Sequence, residues 1–149
     1  MKKSGFTLIE VLATLAVSMI ALIATVQFGQ RWWQQQQEAQ FFADFQRDWA
    51  HLRQMAITDH VTVEVWWNRD QQSFRFGQDK RLTKLYLPRP KSLTTDFPEG
   101  NNNWSLMYSG DNFAKPQTLI FHSVHSTDKV QFTWQLGTGV LLRKIVDQG

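Results

Sequence analysis

Lys2-Lys3-Ser4-Gly5-Phe6-Thr7-Leu8-Ile9-Glu10 opens the chain, a short basic leader running into an apolar stretch that continues to about Phe28. From Phe6 to Phe28 the only formal charge is Glu10. A bilayer core of about 30 Å takes roughly 20 apolar residues rising about 1.5 Å each, so this stretch is long enough to span one. A secretory signal has a shorter apolar region ending in a small-x-small cleavage site. No Ala-x-Ala occurs among Ala13, Ala16, Ala21 and Ala24, so cleavage after the helix is not expected. Lys2 and Lys3 place the N-terminus in the cytoplasm, with Arg31 a weaker opposing vote, and the bulk of the chain then lies outside the membrane. Trp32 and Trp33 fall where an interfacial aromatic belt sits.

Glu10 is the anomaly of the stretch. A carboxylate at the centre of a membrane helix costs on the order of 2.5 to 3.5 kcal/mol, and such residues are usually paired or functional. No Lys or Arg lies between Phe6 and Gln30, so an intrahelical ion pair cannot form. Two readings stay open. Were the leader cut between Gly5 and Phe6, the new α-ammonium of Phe6 on a neighbouring, axially offset chain could reach Glu10. Alternatively Glu10 is protonated, or snorkels to the headgroups.

Beyond Gly29 no Gly or Pro interrupts the chain for many residues, and the helix is expected to run from Phe6 through Gln34-Gln35-Gln36-Gln37 to about Thr58. Phe41, Phe45, Trp49, Leu52 and Ala56 recur at spacings of three or four, widened by Phe42 and Met55. That pattern is one apolar helix face, with Asp44, Arg47, Asp48 and Arg53 assigned elsewhere on the cylinder. After Asp59 the period changes to two. Val61, Val63, Val65 and Trp67 alternate with Thr62, Glu64 and Trp66, then Asn68-Arg69-Asp70-Gln71-Gln72 supplies a turn before Ser73-Phe74-Arg75-Phe76. A third strand is expected over 81–87, closed by Pro88 and Pro90 and followed by a long loop through Asn101-Asn102-Asn103. Short strands are expected at Trp104–Tyr108 and Thr118–His122, and a closing hairpin joins 130–136 to 140–146 through Gly137-Thr138-Gly139. Helix first and antiparallel strands after is an α+β layout, with the aromatic stripe laid across one sheet face. The chain divides into a leader (1–5), a membrane-spanning helix (6–28), its amphipathic continuation (29–58) and a β head (59–149).

Gly5-Phe6-Thr7-Leu8-Ile9-Glu10-Val11-Leu12 resembles the processing and assembly motif of type IV prepilins and pseudopilins. In that family a membrane prepilin peptidase cuts after the glycine and methylates the new N-terminal phenylalanine. The resemblance implies that Gly5 precedes the cut, that Phe6 is the methylated terminus, and that Glu10 neutralises the terminus of an adjacent subunit. It also implies a pilin-like fold, partners among other major and minor pilins, lipid around the helix before assembly, and a place at the cell surface once assembled. Length, the Phe-Thr-Leu-Ile-Glu start, the closing hairpin and the lack of cysteine look most like a ComGD-type minor competence pseudopilin of Gram-positive bacteria. Minor subunits of secretion systems look much the same.

The remaining composition narrows the alternatives. The chain of 149 residues has no cysteine, which excludes disulfides, thiolate metal sites and cysteine nucleophiles. Of its net charge of +3, Lys2 and Lys3 supply two, so whole-chain charge gives no case for nucleic acid. One local cluster does: Arg75, Lys80, Arg81, Lys84, Arg89 and Lys91 stand against Asp79 alone, with Phe76 and Tyr86 between them. Such residues can grip DNA through phosphates and stacking, or simply guard a solvated strand edge. His122 and His125 have a strand spacing that points them to opposite faces, a poor metal pair. Asp96, Glu99 and Asp111 lack a calcium-loop repeat, Gly137-Thr138-Gly139 lacks the Lys of a phosphate loop, and no catalytic pattern is present. A structural subunit with no cofactor and no enzymatic activity is expected. The competing expectation is a single-pass anchored binding module whose Glu10 is incidental.

Overall fold

The computed structural model describes residues 7–78, 83–98, 104–110 and 113–147. Among the described residues one helix, α1 (Leu8–Asp59), is followed by nine strands: β1 (Thr62–Asn68), β2 (Ser73–Gly77), β3 (Thr83–Pro88), β4 (Leu93–Asp96), β5 (Ser105–Ser109), β6 (Phe113–Ala114), β7 (Gln117–Ser123), β8 (Lys129–Trp134) and β9 (Leu141–Val146). The chain forms two compact units, one through Gln36 and one from Gln37 onward.

Within the second unit the strands make two antiparallel sheets rather than the single sheet expected from the sequence. The first has the order β3-β2-β1-β5-β6 and the second β4-β7-β8-β9. Period-two alternation fixes which residues share a face but not which strands pair, so it could not separate one sheet from two. On the first sheet Val65 stands opposite Phe76 and Leu106, and Trp67 opposite Phe74, all facing the core. On the second, Leu119 stands opposite Phe132.

The helix stripe joins the two. Phe45, wholly buried, has ring centroids 5.1 Å from Phe74 and 5.3 Å from Phe76 on the first sheet, and 5.2 Å from Phe132 and 6.1 Å from Trp134 on the second. Phe41 reaches Phe74 and Phe121, and Phe42 reaches Phe121 and Phe132. One turn of one helix therefore holds aromatic contacts to both sheets, and burial of these rings supplies much of the driving force for the unit.

Two expectations need correction. Asp48 lies on the buried face, 7% exposed, not elsewhere on the cylinder. It is tolerated there because Arg47 donates to its Oδ1 from Nε and Nη2 at 3.2 and 3.1 Å. That bond, with Asp44 Oδ1 at 2.8 Å behind it, raises the Arg47 pKa. The segment read as a long loop contains β4, whose Leu93 is buried and which pairs with β7. The third strand expected from the sequence is present as β3, and Arg81, the expected start, lies outside the described residues.

Candidate functional site

The apolar stretch is helical from Leu8, and its side chains face outward: Leu8, Ile20 and Phe28 are 78%, 69% and 72% exposed. An 18-residue window has a mean hydropathy of 2.3 with none of it buried, so the helix is long and apolar enough to cross a membrane. Its hydroxyls are satisfied locally. Thr14, Ser18 and Thr25 each donate at 2.8 Å to the backbone carbonyl four residues back, Glu10, Thr14 and Ala21 respectively. A surrounding medium without hydrogen-bonding groups thus meets no unpaired hydroxyl donor at these positions.

Glu10 has partners that the sequence reading missed. The Thr7 N–H donates to Glu10 Oε2 at 3.0 Å, the Thr7 hydroxyl donates to the same oxygen at 3.1 Å, and the Glu10 N–H approaches the Thr7 hydroxyl at 3.4 Å. This reciprocal arrangement is a capping box, with Thr7 as N-cap and Glu10 three residues on. The signal was present as Thr7-x-x-Glu10 ahead of an apolar run. The donors are dipoles, not cations. They orient the carboxylate, and among the described residues no cation meets its formal charge. Gly5 and Phe6, the residues on either side of the expected cut, lie outside the described residues.

The basic cluster is only partly displayed. Lys80 and Arg81 lie outside the described residues, as does the Lys84 side chain. Arg75 stands in register between Trp66 and Tyr86 and donates to Gln71 Oε1. The Arg89 guanidinium sits 5.2 Å from the Trp67 ring centroid and donates to Gln72 Oε1. Burial pushes its pKa below the ordinary arginine value. Both arginines are therefore tied to the β1–β2 turn, whereas Lys91 is exposed.

The other candidates have structural employment. His122 Nε2 lies 2.7 Å from Asp96 Oδ2, linking β7 to β4, while the remaining calcium candidates, Glu99 and Asp111, lie outside the described residues. Among the described residues no group of three or more His, Asp or Glu is placed to hold a metal ion. Gly137 and Gly139 adopt φ of 77° and 62°, the left-handed region that favours glycine. Their turn is held on the helix: Trp49 Nε1 donates to the Gly139 carbonyl at 2.8 Å, and Arg53 Nε to the Thr138 carbonyl at 2.7 Å. A second buried acid that the sequence did not flag is Glu38, 8% exposed, whose Oε1 accepts from the Ser123 hydroxyl at 3.0 Å.

Comparison with known proteins places this geometry. Residues 1–26 match the model of the prokaryotic N-terminal methylation motif. No curated protein matches the chain. Among solved structures, the minor pseudopilin EpsH from the type 2 secretion system of Vibrio cholerae matches with a TM-score of 0.53 at 17% identity, over 72% of this chain and 94% of that one. The type IV minor pilin FimU of Pseudomonas aeruginosa matches with a TM-score of 0.54 at 10% identity, over 82% of this chain and 92% of that one. At these identities the likeness shows the fold. The chain carries an N-terminal methylation motif on a pilin-like α+β fold, a long apolar helix whose continuation packs on antiparallel sheets.

Proposed function

We propose that this protein is a structural subunit of a pilus-like filament, of the minor pilin or pseudopilin kind, and that it is a substrate of processing rather than an enzyme. The observation that carries the reading is the conjunction, at one helix end, of the methylation motif with a carboxylate held by dipoles and met by no cation among the described residues. A prepilin peptidase would cut between Gly5 and Phe6 and methylate Phe6. Methylation keeps the amine cationic, so a neighbouring subunit's terminus could supply the charge that Thr7 cannot. Before assembly the helix would rest in the membrane, N-terminus inward and head outside; afterwards its exposed apolar face would be covered by other pilins. Mass spectrometry of the native N-terminus tests this. A methylated Phe6 is expected, and an intact Met1 would point instead to a permanently anchored binding module.

The finer reading is a ComGD-type competence filament serving DNA uptake, on the resemblance of the start, the length and the closing hairpin. The second reading is a type II secretion-like system, the setting of EpsH, whose fold this chain shares. Deleting the gene should abolish transformation under the first and export of secreted proteins under the second. DNA contact through Arg75, Lys80, Arg81, Lys84, Arg89 and Lys91 belongs to the competence reading. Because Arg75 and Arg89 serve their own turn, phosphate contact would fall to Lys80, Arg81, Lys84 and Lys91. Replacing those four with Gln should lower DNA capture by intact filaments and flatten its salt dependence. Unchanged capture would refute the contact.

A further inference from the structure

Between the start of the head-packed helix segment and the second sheet lies a cavity of about 170 Å³. Phe42, Phe121, Val130 and Ile145 form apolar walls, and Glu38 and Asp128 contribute carboxyl groups to the same lining. Small-molecule sites usually measure roughly 300 to 1,000 Å³, so this one has the size of a single side chain rather than of a metabolite.

Glu38 is the unexplained group. The residue is more than nine-tenths buried, its Oε1 accepts from the Ser123 hydroxyl, and its side chain lines the cavity. No Lys, Arg or His among the described residues stands within ion-pair distance of it. Arg143 on β9 holds its guanidinium 5.0 Å from the ring centroid of Phe42, itself a wall of the cavity, and makes no ion pair with Glu38. A carboxyl group buried without a counter-charge is costly unless something outside the chain completes it. A divalent ion is a poor fit, because most of the wall is hydrocarbon and only two carboxyl groups are supplied, whereas calcium takes six to eight oxygens. The walls and acids match a cation on an alkyl stem.

We propose that this cavity receives the side chain of a lysine or arginine presented by a neighbouring polypeptide, its methylenes against Phe42, Val130 and Ile145 and its charge against Glu38 and Asp128. The chemistry of the cavity does not depend on the filament reading; only the source of the side chain, an adjacent subunit, rests on it. Charge complementarity selects the occupant. An apolar side chain would leave Glu38 unpaired, and an acidic one would be repelled.

The test uses the full chain in detergent micelles, isotope-labelled at Ile, Leu and Val methyls, titrated with N-acetyl-lysine methylamide. Saturable shifts at Ile145, Val130 and Leu93 are expected, and n-butylammonium, an alkyl chain ending in the same cation, should compete for them. N-acetyl-norleucine methylamide should produce none. Glu38→Gln should abolish the shifts, and Asp128→Asn should weaken them several-fold with the tryptophan fluorescence of the fold unchanged. Equal binding of the norleucine analogue, persistence in Glu38→Gln, failure of n-butylammonium to compete, or binding of calcium in its place would each overturn the proposal. None of these results depends on whether Phe6 is methylated, so the proposal and the filament reading can fail separately.

Discussion

Phe45→Ala is the sharpest test of the claim that one helix turn joins the two sheets. Phe45 is wholly buried and has ring contacts at 5.1 to 6.2 Å with Phe41, Phe74, Phe76, Phe121, Phe132 and Trp134. Truncating a buried Phe costs about 3 to 5 kcal/mol through lost transfer energy and a residual cavity. The upper half of that range is expected here, because partners from both sheets cannot collapse onto one void together. With an m-value of about 1.5 kcal/mol per molar urea, a loss of about 4 kcal/mol moves the unfolding midpoint down by roughly 2.5 M. The assay is urea unfolding of the full chain in micelles, followed by tryptophan fluorescence. Phe45→Leu, which keeps most of the volume, should move the midpoint less than half as far. A double-mutant cycle with Phe132→Leu on one sheet, and another with Phe76→Leu on the other, should each give a coupling of about 0.5 kcal/mol or more. The reasoning fails if Phe45→Ala shifts the midpoint no more than Met107→Ala, whose side chain is 58% exposed, or if Phe45 couples to only one sheet.

Three further outcomes are expected. A Cβ at Gly110 would collide with the backbone carbonyl of Ala56, so Gly110→Ala should lower the same midpoint, whereas Gly29→Ala, with nothing within 4 Å, should leave it in place. Trp49→Phe keeps an aromatic ring to meet Tyr108 and Trp134 edge to face and removes the indole donor to the Gly139 carbonyl, which should cost about 1 to 3 kcal/mol and speed amide exchange in the β8–β9 turn. Glu10→Ala should still be cut and methylated in the membrane fraction yet be missing from sheared filaments; normal incorporation would remove the pairing role of Glu10.

How much was legible depended on whether a feature is local. The aromatic stripe Phe41, Phe45, Trp49, Leu52 and Ala56 marks the buried face of α1 correctly, and Asn68 to Gln72 marks the first hairpin turn. β4 was not legible. Leu93-Thr94-Thr95-Asp96 is four residues between Pro90 and Pro98, too short for alternation to register, and β7 is what makes it a strand. Glu38 and Asp48 were hidden by their charge, although their positions were not. Spacings of 38, 41, 45, 48 and 52 place both acids on the stripe, and a reading by position alone would have found them. The capping box is legible as Thr7-x-x-Glu10 ahead of an apolar run, and it answers with dipoles a carboxylate whose setting calls for a cation.

The clamp of Trp49 and Arg53 on the glycine turn has a kinetic consequence. Its two hydrogen bonds close loops of 90 and 85 positions, which makes them contacts of very high sequence separation. At about 5 to 20 residues per second, the ribosome needs roughly 5 to 18 s to deliver the turn after Trp49 has emerged. Throughout that interval Phe41, Phe45 and Trp49 have no second sheet to pack against. The stripe that organises the head is thus its longest-exposed apolar surface during synthesis, and the vulnerable stage ends only when the last hairpin arrives.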